Sequence, residues 1–494
     1  MNAYQELESI FEKLSHLDHL CAIANWDEAV MMPAGGGSAR SSALATLRRL
    51  SHEILTDKNV EHLIEGAKSL QLDSWQQANL RWIEKHYLNA TCLPAKLVEN
   101  ITKTSMQTEQ AWRKLRAENN WHDFAPLLKQ NLKLIKESAE IRAQKFNKNP
   151  YDVVIEDFSP GLSQQIIDPV FATLKKELPP LIETIVTAQS KESVASLTGP
   201  FDLEKQKKIG LELAKTLGFD FNHGRLDVSH HPFCGGVPED VRMTTRYNED
   251  EFATAFMGIC HETGHARYEQ GLPMEWIHQP VGRINSMALH ESQSLLIEMQ
   301  ACRSLDFMHY LGPLIKKYFG ENEAFSPENL FRIYTRLKPN LIRVDADEVT
   351  YPLHVILRYE IEKALFKDEI TVEELPGVWD ELMTRYLNLS TKNNFRNGVM
   401  QDVHWPAGLF GYFPAYTLGS LIAAQLYAKI TSTYPEISPQ LRQGDFSSLF
   451  GWLKQHIYSR ALSVDLHQLL LDTTGSKLDP KFFLKHISKR YLNT

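Results

Sequence analysis

The chain reads as a mainly α-helical protein carrying one small antiparallel β-sheet. Three observations predict this. Apolar residues recur at three- and four-residue spacing over most of the 494 residues, the period of helices with one buried face. The alternation of apolar and polar positions that marks a half-buried strand is almost absent. It is concentrated between Gly224 and Tyr247, where Arg225–Ser229 and Val241–Tyr247 flank a turn-rich stretch, His230–Asp240.

Taken in order, the first helix starts at once, with Leu7, Ile10, Phe11, Leu14 and Leu17 at helical spacing. This segment is charged from the start and has no basic region followed by an apolar core, so it is not expected to be a signal peptide. The loop Met32–Gly37 breaks the pattern, and Ser38 with the run Ala39–Leu55 resumes it. Helices then follow one another to Lys148, with Trp26, Trp75, Trp82, Trp112 and Trp121 expected to pack between them. Turn clusters at Asn147–Pro150 and Ser159–Gly161 lead into a helix over Gln164–Lys191. A further amphipathic helix, Lys205–Leu217, closes on Gly218 as its C-cap.

After the strand-like stretches, Asn248 with Glu251 three residues on is a capping-box signature. It predicts a helix through Phe252, Ala255, Phe256 and Ile259 that stops at Gly271-Leu272-Pro273. Later helices break near Gly282, Gly320, Pro327, Pro339 and Pro376, and a stretch rich in glycine and aromatics runs from Gly398 to Gly419.

Composition narrows the class. A net charge of −8 and a pI near 6.2 argue against nucleic acid or an anionic membrane as partner. No run of 18 apolar residues occurs, so no membrane span is expected. The five cysteines are scattered, odd in number and free of paired spacing, which fits reduced thiols in a cytoplasmic protein.

The chemistry is declared by His261-Glu262-Thr263-Gly264-His265. Residues four apart on a helix lie about 40° apart around the axis, so both imidazoles can reach one ion. Glu262 falls on the same side, free to approach a water on that ion. His261 lies about 180° from Phe252, so the helix has a core flank and a metal flank. The pentapeptide alone carries a chance-match risk of roughly one in twenty, and the alternative is a solvated face with two histidines and a glutamate. A catalytic zinc takes a third protein ligand. Glu291, 26 positions after His265 in the polar run His290–Ser294 of an otherwise apolar helix, is the candidate.

Six motifs in order then carry a resemblance. They are His231-Pro232-Phe233, Asp240-x-Arg242-x-Thr244, His261-Glu262-x-x-His265, His290-Glu291-Ser292-Gln293, Ile342-Arg343-x-x-Ala346-Asp347, and Gly398-x-x-Gln401-Asp402-x-His404-Trp405. The series resembles the thermostable (Taq-type) zinc carboxypeptidases, as do the stretch Trp26–Pro33 and the overall length. The motifs cover roughly residues 225–420. The resemblance implies a single helical domain of gluzincin-like, neurolysin-like fold with a deep groove, residues 1–148 covering that groove and residues 224–420 holding the motifs. It also implies a homodimer that removes C-terminal residues one at a time from peptides. His261, His265 and Glu291 become the metal ligands, and Glu262 the general base.

The donor set accepts Zn2+, and Co2+ or Mn2+ as well. Tyr412 and His404 are the candidates for stabilising the developing oxyanion, with Tyr416 as a weaker one that could equally be packing. A free α-carboxylate calls for a cation in the groove. Arg343 is the first choice, although it could instead pair with Asp345, Asp347 or Glu348. Arg242 and Arg246 are alternatives, Arg242 being equally able to pair with Asp240. His231 and Gln401 complete the substrate-facing set. The rival readings are an oligopeptidase or dipeptidyl carboxypeptidase of similar fold, and a non-catalytic helical peptide-binding protein. The retained Glu262 argues against the last.

Overall fold

Capping explains much of the helical register in the structure, a computed structural model that describes residues 1–492. The first helix, Ala3–Val30, opens on a reciprocal cap between Asn2 and Gln5, and Ser74–Thr91 opens on the same device between Asp73 and Gln76. Each satisfies amide groups that the helix start leaves without partners. Helices Ala3–Val30, Lys58–Lys68 and Ser74–Thr91 share a small core of their own, in which Tyr4, Leu7, Phe11 and Leu14 meet Val60, Leu63, Ile64 and Ile83. A second and much larger core runs from Trp121 to Tyr491.

Buried polar groups tie the two together. Asn79 donates to Gln279 Oε1 at 3.0 Å, and Trp82 Nε1 donates to the Leu462 carbonyl at 3.1 Å. Trp75, on Ser74–Thr91, stacks on Trp276, and within the larger core Trp112 Nε1 reaches the Met400 carbonyl at 2.8 Å. The tryptophans therefore pack between elements, as expected.

The sheet departs from expectation in two ways. It has three strands, β1 (Gly224–Val228), β2 (Cys234–Val237) and β3 (Asp240–Thr245), and it is mixed, in the order β1-β3-β2. β3 pairs antiparallel with β2 and parallel with β1. The physical cause lies in the stretch expected to be turn alone. Gly236, at a φ of +117 that only glycine adopts without strain, lets β2 fold back tightly on β3. The antiparallel edge of β3 is then taken, and β1 occupies the other edge. With a neighbour on each side, β3 is central, and Thr244 and Thr245 are both buried rather than alternating.

The helix carrying His261 also starts later than the capping-box signature implies. Asn248 Oδ1 accepts from the Asp250 amide in a local turn, and the helix runs over Ala253–Glu269. Glu251 does the capping instead, accepting from the Thr254 amide at 2.9 Å. The core imposes the delay, because Phe252 is fully buried edge-on against Phe201 before the first turn can wind.

This motif helix packs on Met287–Leu295, which packs in turn on Pro414–Thr433. Both crossings are closer than side chains allow. A Cβ at Gly264 would lie 2.6 Å from the Gln293 carbonyl oxygen, and one at Gly419 would lie 2.9 Å from Glu291 Cβ. The absence of side chains at these two positions sets how near Glu291 can come to the two histidines. Beyond Leu295 the helix widens into a π-helical segment, Leu296–Cys302, a form that recurs at functional sites.

Candidate active site

Four side chains from two helices meet where those elements cross. His261, Glu262 and His265 project from the motif helix, and Glu291 from Met287–Leu295, whose start is capped by Ser286 accepting from the Leu289 amide. Glu291 Oε2 lies 3.4 Å from His265 Nε2 and 3.8 Å from His261 Nε2. The three donor atoms fall within 4.8 Å of one another. On the far side of its ring, His261 Nδ1 lies 2.9 Å from Glu298 Oε2, and Glu298 Oε1 accepts from Arg303 at 2.6 Å. That contact occupies Nδ1 and leaves the Nε2 lone pair facing Glu291, the outer support that a metal-binding imidazole requires. His265 is stacked under His290, ring centroids 4.2 Å apart.

Two imidazole nitrogens and one carboxylate oxygen, converging with the outer support in place, fit a divalent cation of the zinc type with one position left open. The electrostatics agree. Burial disfavours charge on His261, yet Glu298, Glu291 and Glu262 together raise its pKa to about 10. The negative field that favours a proton there is the field that favours a dication. Burial raises the Glu262 carboxyl to about 7, with Glu291 adding to the rise and His261 opposing it. Glu291 is buried as well, but the two histidines more than compensate and hold it at about 2. Two glutamates in one site are therefore driven in opposite directions by their surroundings.

A cavity of about 710 Å³ is lined by His261, Glu262, Glu291, Arg343, Tyr351 and Tyr416. Arg343 does not pair with Asp345, Asp347 or Glu348. Its Nε and Nη2 donate to Asp402 Oδ1 at 3.0 and 2.9 Å, and its Nη1 donates to the Tyr351 hydroxyl at 2.6 Å. Arg358, fully buried, donates to the other oxygen of Asp402 at 2.6 Å. Two guanidiniums thus share one carboxylate, leaving one positive charge in excess. Tyr416 stands under Arg343, the guanidinium 4.8 Å from its ring centre, and its hydroxyl lies 3.1 Å from His404 Nε2. Tyr412 packs against Tyr416 at 5.1 Å and Phe158 at 4.8 Å. Burial and Glu291 raise the Tyr412 phenol to about 12, while burial first and Arg343 next push His404 down to about 3. Both are neutral at neutral pH.

The remaining sequence-predicted residues are placed differently. Gln401 is buried and fully engaged with backbone, accepting from the Arg343 amide at 2.8 Å and donating to the Leu341 and Asn397 carbonyls. Arg242 makes a two-pronged pair with Asp240 and lies 4.3 Å from the ring centre of Trp26. His231 is exposed beside Pro232, which lines the cavity. Glu298, Arg303, Arg358 and Tyr351 were not singled out by the sequence. For Glu298 a signal existed, since it follows Glu291 by seven residues, two turns along the same face. Arg358 sits on a helix that otherwise reads as buried core, and only the fold pairs it with Asp402.

The helical fold and the convergent two-histidine, two-glutamate site define a metallopeptidase. The chain belongs to the Carboxypeptidase Taq (M32) metallopeptidase family, whose model matches residues 6–491. It is 35% identical to thermostable carboxypeptidase 1 of Thermus thermophilus over 99% of this chain and 98% of that one. Carboxypeptidase 1 of Bacillus subtilis is 32% identical over 99% of this chain and 98% of its own. Among solved structures, Trypanosoma cruzi metallocarboxypeptidase 1 superposes with a TM-score of 0.98 at 40% identity, covering 99% of both chains. The chain is thus a metallocarboxypeptidase that requires a divalent cation. No helix among the described residues is long and apolar enough to cross a membrane.

Proposed function

We propose that the enzyme releases C-terminal residues one at a time from peptides bearing a free α-carboxylate, with His261, His265 and Glu291 holding Zn2+. Co2+ and Mn2+ suit the same donors, and availability decides among them. When bound, the cation supplies Lewis acidity, bringing a water's pKa toward about 7 and polarising the scissile carbonyl. The steps that the chain itself performs follow from the site.

Glu262 is the general base. Its raised proton affinity lets it accept a proton from water near neutral pH and return that proton to the leaving amine. Tyr416 and Tyr412 remain protonated and serve as donors to the carbonyl oxygen as charge builds on it. His404 holds the Tyr416 hydroxyl in place. Arg343 receives the substrate carboxylate, its fork fixed by Asp402 and Tyr351 so that little order is lost on binding. Gln401 acts through the Arg343 backbone. Arg242, already engaged, fastens the sheet to the N-terminal helix, and His231 stands at the substrate's approach.

The observation that carries this reading is the shared cavity. The base and two metal ligands line it together with an arginine whose cluster holds one uncompensated positive charge. We further propose that residues 1–148 cover the groove of a single helical domain, and that the enzyme works as a homodimer in the cytoplasm. The five free cysteines support the compartment, and the family resemblance supports the dimer. The test compares one peptide as free acid and as C-terminal amide. Losing a charge-assisted contact worth about 1.5–3 kcal/mol lowers kcat/KM about 10- to 150-fold. Equal cleavage of both forms sinks the proposal.

A further inference from the structure

A second group of metal-type side chains lies outside the catalytic cavity. Glu12 and His16, four residues apart and therefore on one face of the first helix, meet His278 from the loop that follows the motif helix. One donor atom from each falls within 4.8 Å of the others, near enough for all three to reach one ion. The two imidazoles also reproduce the relation of the catalytic pair. The His16 and His278 rings are 4.9 Å apart and inclined at 75°, against 4.9 Å and 80° for His261 and His265. Ser15 Oγ lies 3.4 Å from His278 Nδ1, a longer and neutral counterpart of the Glu298 contact on His261.

The surroundings favour a cation. The surface cleft that includes Glu12 and His278 is also lined by Glu8, Asp73 and Glu275 and by no lysine or arginine side chain among the described residues, while the adjoining cleft on the other side of His278 holds Lys85 and Arg283, each paired with an acid, Glu156 and Asp18. Four carboxylates at one cleft concentrate positive counter-ions there. Glu12 and His16 are exposed, so the rotations that bring donors to about 2.0–2.2 Å of an ion meet no packing.

We propose that Glu12, His16 and His278 form a second site for a borderline divalent cation such as Zn2+, Ni2+ or Cu2+, distinct from the catalytic one. Its ligands come from the small N-terminal core on one side and from the chain just beyond the motif helix on the other. Occupancy therefore staples those two parts together and stabilises the folded state by mass action.

The test uses the whole enzyme with its catalytic site already filled. Titration with Zn2+, followed by calorimetry, takes up one further equivalent and raises the thermal unfolding midpoint. The double variant His16→Asn with His278→Asn loses both effects while hydrolysing peptide at the unaltered rate. Glu12→Gln keeps the two nitrogens and weakens the second equivalent by more than about tenfold, since outer partners alone contribute 10- to 100-fold. Bound Cu2+ at the second site shows electron paramagnetic coupling to two imidazole nitrogens. Absence of a second equivalent, or its persistence in the double variant, overturns the proposal.

Discussion

Replacing Asp402 by asparagine is the most demanding single test of the buried charge cluster. The side chains of Arg343, Arg358 and Asp402 are 6%, 0% and 11% exposed, so solvent screens them little. At an effective dielectric of about 20, opposite unit charges about 4 Å apart attract by about 4 kcal/mol. Asp402 serves two such partners. Neutralising it leaves two buried guanidiniums facing each other, and breaking a buried pair costs about 3–5 kcal/mol. The variant should unfold at a clearly lower urea concentration, read by circular dichroism. It also alters the acid limb. Burial alone would raise the Asp402 carboxyl, but the two arginines outweigh burial and hold it well below the ordinary range. A depressed folded pKa gives stability that is complete above the unfolded value of about 3.9 and disappears as pH falls below it. The wild type should therefore lose stability more steeply than Asp402→Asn between about pH 4 and pH 2. A loss under about 1 kcal/mol at pH 7, with parallel acid limbs, would refute a cluster organised on this carboxylate.

Three further outcomes follow from the geometry. Glu298→Gln removes the charged partner of His261 Nδ1 and should weaken metal binding about 10- to 100-fold in a competition assay, with hydrolysis at saturating metal much less affected. Gly264→Ala places a Cβ 2.6 Å from the Gln293 carbonyl and should destabilise by about 1–3 kcal/mol through overpacking while lowering metal affinity by displacing Glu291. Gly258→Ala on the same helix meets nothing within 4 Å and should stabilise by about 0.5–1 kcal/mol in the same urea series.

Separation along the chain decides which features of the site the sequence discloses. His261, His265 and Glu262 were legible because a helix fixes their relation within one turn. Glu291 was legible because an acid amid apolar positions violates its local pattern, and the structure brings it to 3.4 Å from His265 Nε2. Gly264 and Gly419 were not legible as site-builders. Each is defined by what lies opposite it in another helix, and nothing local marks the need for close approach. The same applies to the carboxylate that anchors Arg343. Local reading offered Asp345, Asp347 and Glu348, two to five residues away, whereas the fold supplies Asp402 from 59 positions further on. The mixed sheet escaped for a related reason. Alternation identifies β3, but which neighbour takes each edge depended on the Pro238-Glu239 turn and the close approach at Gly236, in a stretch with no strand pattern of its own.

In the proposed mechanism Glu262 moves the proton while His261, His265 and Glu291 hold the cation. Glu262→Gln tests it most directly, with metal content and peptide hydrolysis measured on the same preparation. One equivalent of metal should be retained at the catalytic site while kcat falls about 10²- to 10⁴-fold. Hydrolysis within a few-fold of wild type, or loss of the metal together with the activity, would contradict it.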